Sequence, residues 1–158
     1  MQIIYVGDTG NLLRRIRTNH CGGNVEGSAL RRHVAEALGY NIKCEKRRSG
    51  NERKRIDLPN PQQGEKRVSD YIRSGEWRLI ILDNCKIAND FQWFVIEKLS
   101  PLLNHMRKNY VRTNITLYIS LLKKLKNSPL LEIKHLSTVK SEPGVYILYH
   151  DSNPQDYG

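Results

Sequence analysis

The sequence predicts a small α/β (α+β) domain: a three-stranded sheet, mixed or antiparallel, flanked by helices, with one extra amphipathic helix. Three observations carry this expectation. Runs of β-branched and aromatic residues stand at 1–7, 77–82 and 144–149, and helical apolar stripes separate them. The 158 residues, 39% hydrophobic, suffice for one core and not for two of ordinary size.

Taken in order, Ile3, Ile4, Tyr5 and Val6 make the first strand, which Gly7 closes. Asp8-Thr9-Gly10-Asn11 is turn chemistry and supplies an N-cap for a helix over 12–17, with Leu12, Leu13 and Ile16 on one side. Ser28 caps a second helix over 29–38 that Gly39 stops. Periodicity is then lost, and 43–64 is read as a basic insertion ending in a Pro-punctuated loop. A short helix over 65–73 restores order, and Leu79-Ile80-Ile81-Leu82 gives strand 77–82 a run suited to burial on both faces. Asn89 or Asp90 caps a helix over 91–99, stopped before Ser100-Pro101. Thr113 or Asn114 caps an amphipathic helix to 126, and Glu142-Pro143 leads into strand 144–149. One domain is expected over 1–158: a core of 1–104 plus 142–158, with a helical connection over 105–141.

Composition narrows the partners. Lys+Arg 26 against Asp+Glu 16 gives a net charge of +10, which favours a polyanion because phosphate contacts release condensed counterions. Charge does not choose between DNA and RNA. Lys46, Arg47, Arg48, Arg53 and Lys54 form either a solvated surface or a phosphate-contacting arm. Cys21, Cys44 and Cys85 have neither disulfide-framework nor zinc spacing, so a reducing cytoplasm is expected. No apolar run is membrane-sized and no secretion signal is visible, so no membrane partner is expected.

Two segments at opposite ends now combine. Pro143-Gly144-Val145-Tyr146-Ile147 resembles the first half of the GIY-YIG nuclease signature. Tyr5-Val6-Gly7, running on to Arg14-Arg15-Ile16-Arg17, resembles the second half with its arginine helix. In the family the first half precedes the second across a hairpin loop; here it follows, so the resemblance is to a circularly permuted member. Gly27-Ser28-Ala29-Leu30-Arg31-Arg32, Val68-Ser69-Asp70-Tyr71-Ile72-Arg73 and Ser100-Pro101-Leu102-Leu103-Asn104 resemble further family segments in consistent circular order. The likeness covers about 1–38, 65–104 and 142–149.

The resemblance implies a DNA endonuclease that uses one Mg²⁺ or Mn²⁺ ion. Tyr5 and Tyr146 are expected to converge, with Tyr5 the preferred base, and Arg15 to grip the scissile phosphate through its fork. Each tyrosine is otherwise a plain sheet aromatic. The family's helix histidine falls at Asn19, so His20 takes its place only where the helix end is overwound or frayed, and is otherwise a surface histidine. Asn104 closes the Pro-x-x-Asn turn, and Gly7, Arg14, Arg17, Arg31 and Arg32 join the basic arm as expected substrate contacts. Twelve residues before Asn104, at the family's metal-binding glutamate, stands Gln92. A neutral amide is a poor trade for a hard cation, so the chain is expected to cut weakly or not at all. Either an isosteric change of Glu to Gln or a natural non-cutting relative would explain it. Glu97, five residues on, is about 140° round the helix and faces away. Duplex or branched DNA is the expected partner, and a homodimer with swapped strands would also unite the tyrosines. The rivals are a nuclease-fold module that binds DNA without cutting, and a basic RNA-binding protein.

Overall fold

The computed structural model describes residues 1–157; Gly158, part of the expected turn after the last strand, lies outside the described residues. Its strands are β1 (Gln2–Thr9), β2 (Ile42–Lys46), β3 (Glu52–Ile56), β4 (Glu76–Ile81) and β5 (Gly144–His150). Its α-helices are α1 (Ala29–Ala37), α2 (Pro61–Arg73), α3 (Cys85–Leu99) and α4 (Ile115–Asn127). A separate helical segment, Arg14–His20, bears the arginines.

The main sheet has the order β1-β5-β4, antiparallel throughout, so the fold class read from the sequence is the one observed. Every residue of the central strand β5 is buried. Its alternation splits the core between two faces. Tyr146 and Leu148 pack with Trp77, Leu12, Ile16 and Tyr71, beneath the arginine helix, α1 and α2. Val145 and Ile147 pack with Phe91, Phe94, Val95 and Tyr118 from α3 and α4. Each such side chain removed from water contributes about 1.5–3 kcal/mol. Gln2 stands opposite His150, so the sequence-distant strands β1 and β5 form one antiparallel pair.

β1 is the outer strand, and residues 102–104 cover its exposed edge. Leu102 and Leu103 donate backbone N–H groups to Ile3 and Ile4 at 3.1 and 2.9 Å. Asn104 finishes the row: its Oδ1 accepts from Val6 N–H at 2.8 Å and its Nδ2 donates to the Val6 carbonyl at 3.0 Å. A bulge at Ile3/Tyr5 shifts the register and re-aims the strand just before Gly7.

Three sequence expectations need correction. The stretch 43–64 is not structureless: β2 and β3 form a hairpin, with Gly50 at φ 88° in its turn. The hairpin escapes periodicity because it is mostly solvated and only the pair Ile42–Ile56 is apolar; Ile56 packs against Gly64 of α2. Helix α2 begins at Pro61, capped by Asn60, rather than at Glu65. Helix α3 begins at Cys85, where the Asn84 side chain accepts from the N–H groups of Lys86 and Ile87, rather than at an Asn89 or Asp90 cap. Among the described residues no helix is long and apolar enough to cross a membrane.

Candidate active site

Asn11 opens the arginine helix by accepting from the Arg14 N–H at 3.0 Å. From Arg14 to His20 the turns widen to π-type, and the Cys21 N–H reaches back five residues to the Ile16 carbonyl at 2.9 Å. In a regular α-helix a residue five places on stands about 140° away. The wider turn swings His20 back toward the side of Arg15. The expected overwinding or fraying is thus replaced by underwinding, and His20 is fully buried instead of on the surface.

There His20 completes a chain of polar groups. Its Nε2 lies 2.6 Å from the Tyr146 hydroxyl and its Nδ1 lies 2.7 Å from Ser28 Oγ, while its ring stacks on Trp77. Burial, reinforced by the Arg15 and Arg31 charges, holds the imidazole well below its ordinary pKa. His20 is therefore neutral at neutral pH and keeps a lone pair for an acidic proton.

The tyrosines meet across the β1–β5 pair, with ring centroids 6.4 Å apart. Gly7 faces Tyr146 in the register, and a Cβ at Gly7 would collide with the phenol, so only glycine fits. Burial pushes the Tyr5 pKa up, with Arg15 pulling it down and Asp8 adding to the rise. Tyr146, buried more deeply, is raised further, again mainly by desolvation. Neither phenol rests as a phenolate at neutral pH. Only Tyr146 has a hydrogen-bonded histidine to take its proton.

The two tyrosines line a cleft of about 380 Å³, with His20 buried behind Tyr146. Tyr5, Gly7, Arg15, Arg32, Gln92, Asn104 and Tyr146 all border it. The Arg15 guanidinium donates to the Gly27 carbonyl at 3.2 Å, which steadies its stem while leaving other N–H groups for a ligand. The Asn104 amide is already committed to β1 on both its oxygen and its nitrogen, so its contribution is to hold the strand that carries Tyr5.

Three cleft residues were not singled out in the sequence. Asp8 was read only as turn chemistry, yet its carboxylate lines the cleft and accepts from Asn89 Nδ2 at 3.3 Å. Burial raises its pKa, opposed chiefly by the hydrogen bond from Asn89. His33 and His105 meet edge to face with ring centroids 4.7 Å apart on the same wall. No spacing links either histidine to a motif. At the Gln92 end the donors are oxygens, the Asp8 carboxylate and two side-chain amides, which suit a hard cation. Among the described residues no three His, Cys, Asp or Glu side chains cluster as a ready-made metal cage.

The basic residues divide. Arg14 and Arg17 are exposed on the arginine helix, and Arg17 borders a different depression, with Cys21 and Arg73. Lys46, Arg47, Arg48 and Lys54 are exposed on the hairpin, whereas Arg53 pairs with Glu45 at 3.5 Å. Arg31 is no substrate contact. It is fully buried, bridges Glu65 at 3.0 Å and donates to the His20 and Glu65 carbonyls and to Ser69. It ties α1, α2 and the end of the arginine helix together.

A family model described as the GIY-YIG catalytic domain matches residues 1–128. The matched span holds Tyr5, Arg15, Gln92 and Asn104 and stops short of β5, so Tyr146 joins the cleft through the fold. No curated protein and no solved structure matches the chain significantly.

Proposed function

The chain belongs to the GIY-YIG catalytic domain family, and from that premise we propose that it is a DNA endonuclease whose cutting step is weakened by Gln92. One observation supports this above the others: Tyr5, Tyr146 and Arg15, drawn from two strands and a helix, converge at one cleft, and buried His20 bonds to Tyr146 from behind. The two signature halves run in permuted order along the chain, and the antiparallel β1–β5 pairing is what reunites them in this reading.

In the proposed reaction the scissile phosphate enters between the tyrosines and Arg15. The Arg15 fork neutralises charge as the phosphorus becomes five-coordinate. As the attacking water closes on phosphorus, its proton moves to the Tyr146 oxygen while the Tyr146 proton moves to His20 Nε2, so no free phenolate precedes attack and His20 ends the step protonated. Ser28 fixes the ring of His20 through Nδ1. Tyr5 orients the water from the adjoining strand, a shift from the initial preference for Tyr5 as base, supported by the Tyr146–His20 bond. A divalent cation such as Mg²⁺ or Mn²⁺, when bound, supplies charge that eases departure of the leaving oxygen. Gln92 would touch it through a neutral amide oxygen, and that missing charge is why slow cutting is expected. The exposed bases of the hairpin and Arg14 would hold the flanking backbone of duplex or branched DNA.

Supercoiled plasmid incubated with Mg²⁺ tests the reading. The parent chain should nick slowly or not at all, and Gln92→Glu should nick at least about a hundredfold faster. Unchanged rates would defeat it. The second reading, a module that grips DNA without cutting, draws on Gln92 alone and predicts binding without any gain from Gln92→Glu. A basic RNA-binding protein, a third reading, predicts retention of RNA in preference to DNA and indifference to changes at Tyr146.

A further inference from the structure

The cleft contains a carboxylate that this mechanism leaves unused. Asp8 lies on β1 immediately after Gly7, and its side chain borders the same cleft as Gln92. Asn89 and Gln92 stand three residues apart on α3, on one helix face: Asn89 Nδ2 donates to Asp8 Oδ2 at 3.3 Å, and Gln92 borders the cleft beside Asp8. Strand and helix thus present three oxygen-bearing side chains to one another, with one formal negative charge among them. Tyr5, Arg15 and Tyr146 line that same cleft, which places the Asp8 carboxylate beside the reacting region and not on a remote surface.

We propose that Asp8 is the carboxylate that anchors the divalent cation in this chain, with Gln92 and Asn89 adding neutral amide oxygens. The assignment rests on the nuclease reading of the cleft. Hard cations favour oxygen donors and bind through one or two carboxylates together with phosphate oxygens and water. One carboxylate meets that minimum. The Asn89 amide can turn its oxygen toward a cation by rotation about a single bond, giving up only its hydrogen bond to Asp8, and the Gln92 amide can present its oxygen to the cleft it borders. One carboxylate thus remains at the site, on strand β1 opposite Val145, while the helix position holds a neutral amide. Gln92 is then a weakened ligand and not a deleted one.

The test uses Mn²⁺ alone, without DNA. Free Mn²⁺ is followed by its electron paramagnetic resonance signal, and thermal melting is recorded with and without the ion. The parent chain should deplete the free signal and melt higher with Mn²⁺, since a ligand that binds only the folded state stabilises it. Asp8→Asn, nearly isosteric, should lose more than about a hundredfold in affinity together with the thermal gain, beyond the roughly 10–100-fold that loss of an outer partner costs. Gln92→Glu placed on Asp8→Asn should regain both by returning a carboxylate to the helix. Mn²⁺ binding by Asp8→Asn equal to the parent's overturns the assignment, and so does a parent chain that binds no Mn²⁺. The nuclease reading fails separately: Mn²⁺ binding that tracks Asp8 while Gln92→Glu never nicks plasmid leaves the site standing and removes the activity.

Discussion

The cleft and the β2–β3 hairpin are both rich in polar side chains, yet they are built on opposite principles. In the cleft, His20 and Tyr146 are enclosed and bonded to each other, and desolvation moves their pKa values far from water. On the hairpin, Lys46, Arg47, Arg48 and Lys54 stand in solvent, and the ion pairs of Arg53 and Arg55 with Glu45 are only half-buried. A buried group acts strongly on one atom and depends on its neighbours; an exposed charge acts weakly on many phosphates and is screened by salt. The first arrangement suits bond breaking and the second suits holding a backbone. Substitutions in the two regions should therefore differ in kind as well as in size.

The largest expected effect lies in the cleft. In the Gln92→Glu background, Arg15→Ala should lower the nicking rate by about 10²–10³, the usual loss for one aimed donor, while DNA affinity changes little. A gel assay of rate and a binding isotherm separate the two. Next comes Arg31, whose loss leaves Glu65 buried and unpaired. Arg31→Ala should lower stability by about 3–5 kcal/mol in urea unfolding, whereas an exposed arginine such as Arg14→Ala should fall within about 0.5 kcal/mol. A small effect at Arg31 would break the contrast between the regions.

A smaller effect is pH-dependent. His20 has its folded pKa depressed, so the folded state resists protonation while the unfolded chain takes up a proton near pH 6.5. Below that pH the unfolded state binds more protons, and stability falls by up to ~1.4 kcal/mol per pH unit until the folded pKa is reached. His20→Gln removes this contribution, so its loss of stability from pH 7 to pH 5 should be smaller than the parent's in matched urea melts. The smallest effect belongs to the hairpin. Lys54→Ala should weaken DNA binding modestly and reduce the salt slope of log K by about 0.9 if it covers one phosphate. A salt slope unchanged by Lys54→Ala, Arg47→Ala and Arg48→Ala together would take the hairpin out of the DNA interface.

Legibility in the sequence followed the same division. Tyr5, Tyr146, Arg15 and Gln92 were legible through the resemblance to the GIY-YIG signature, and the structure brings all four to one cleft; β4 and β5 were legible because both are apolar runs. His20 was visible only as a histidine one place late, since the π-type turns that bring it in leave no composition signal. Arg31 looked like its neighbour Arg32; only the approach of Glu65, 34 residues on, buries one and leaves the other on the cleft wall. Asp8 sat in a run of turn residues that explained it too readily. The hairpin was missed because charged side chains occupy both of its faces, which removes the alternation that marks a half-buried strand.

The central claim is that β5 supplies the proton-handling tyrosine to a cleft otherwise built from residues of the matched span. Its most direct test is Tyr146→Phe in the Gln92→Glu protein, assayed for Mg²⁺-dependent plasmid nicking with folding checked by circular dichroism. Removal of one hydroxyl, with the ring and Gly7 packing kept, should reduce nicking by about 10²–10⁴. Nicking that continues at the Gln92→Glu rate would contradict the account.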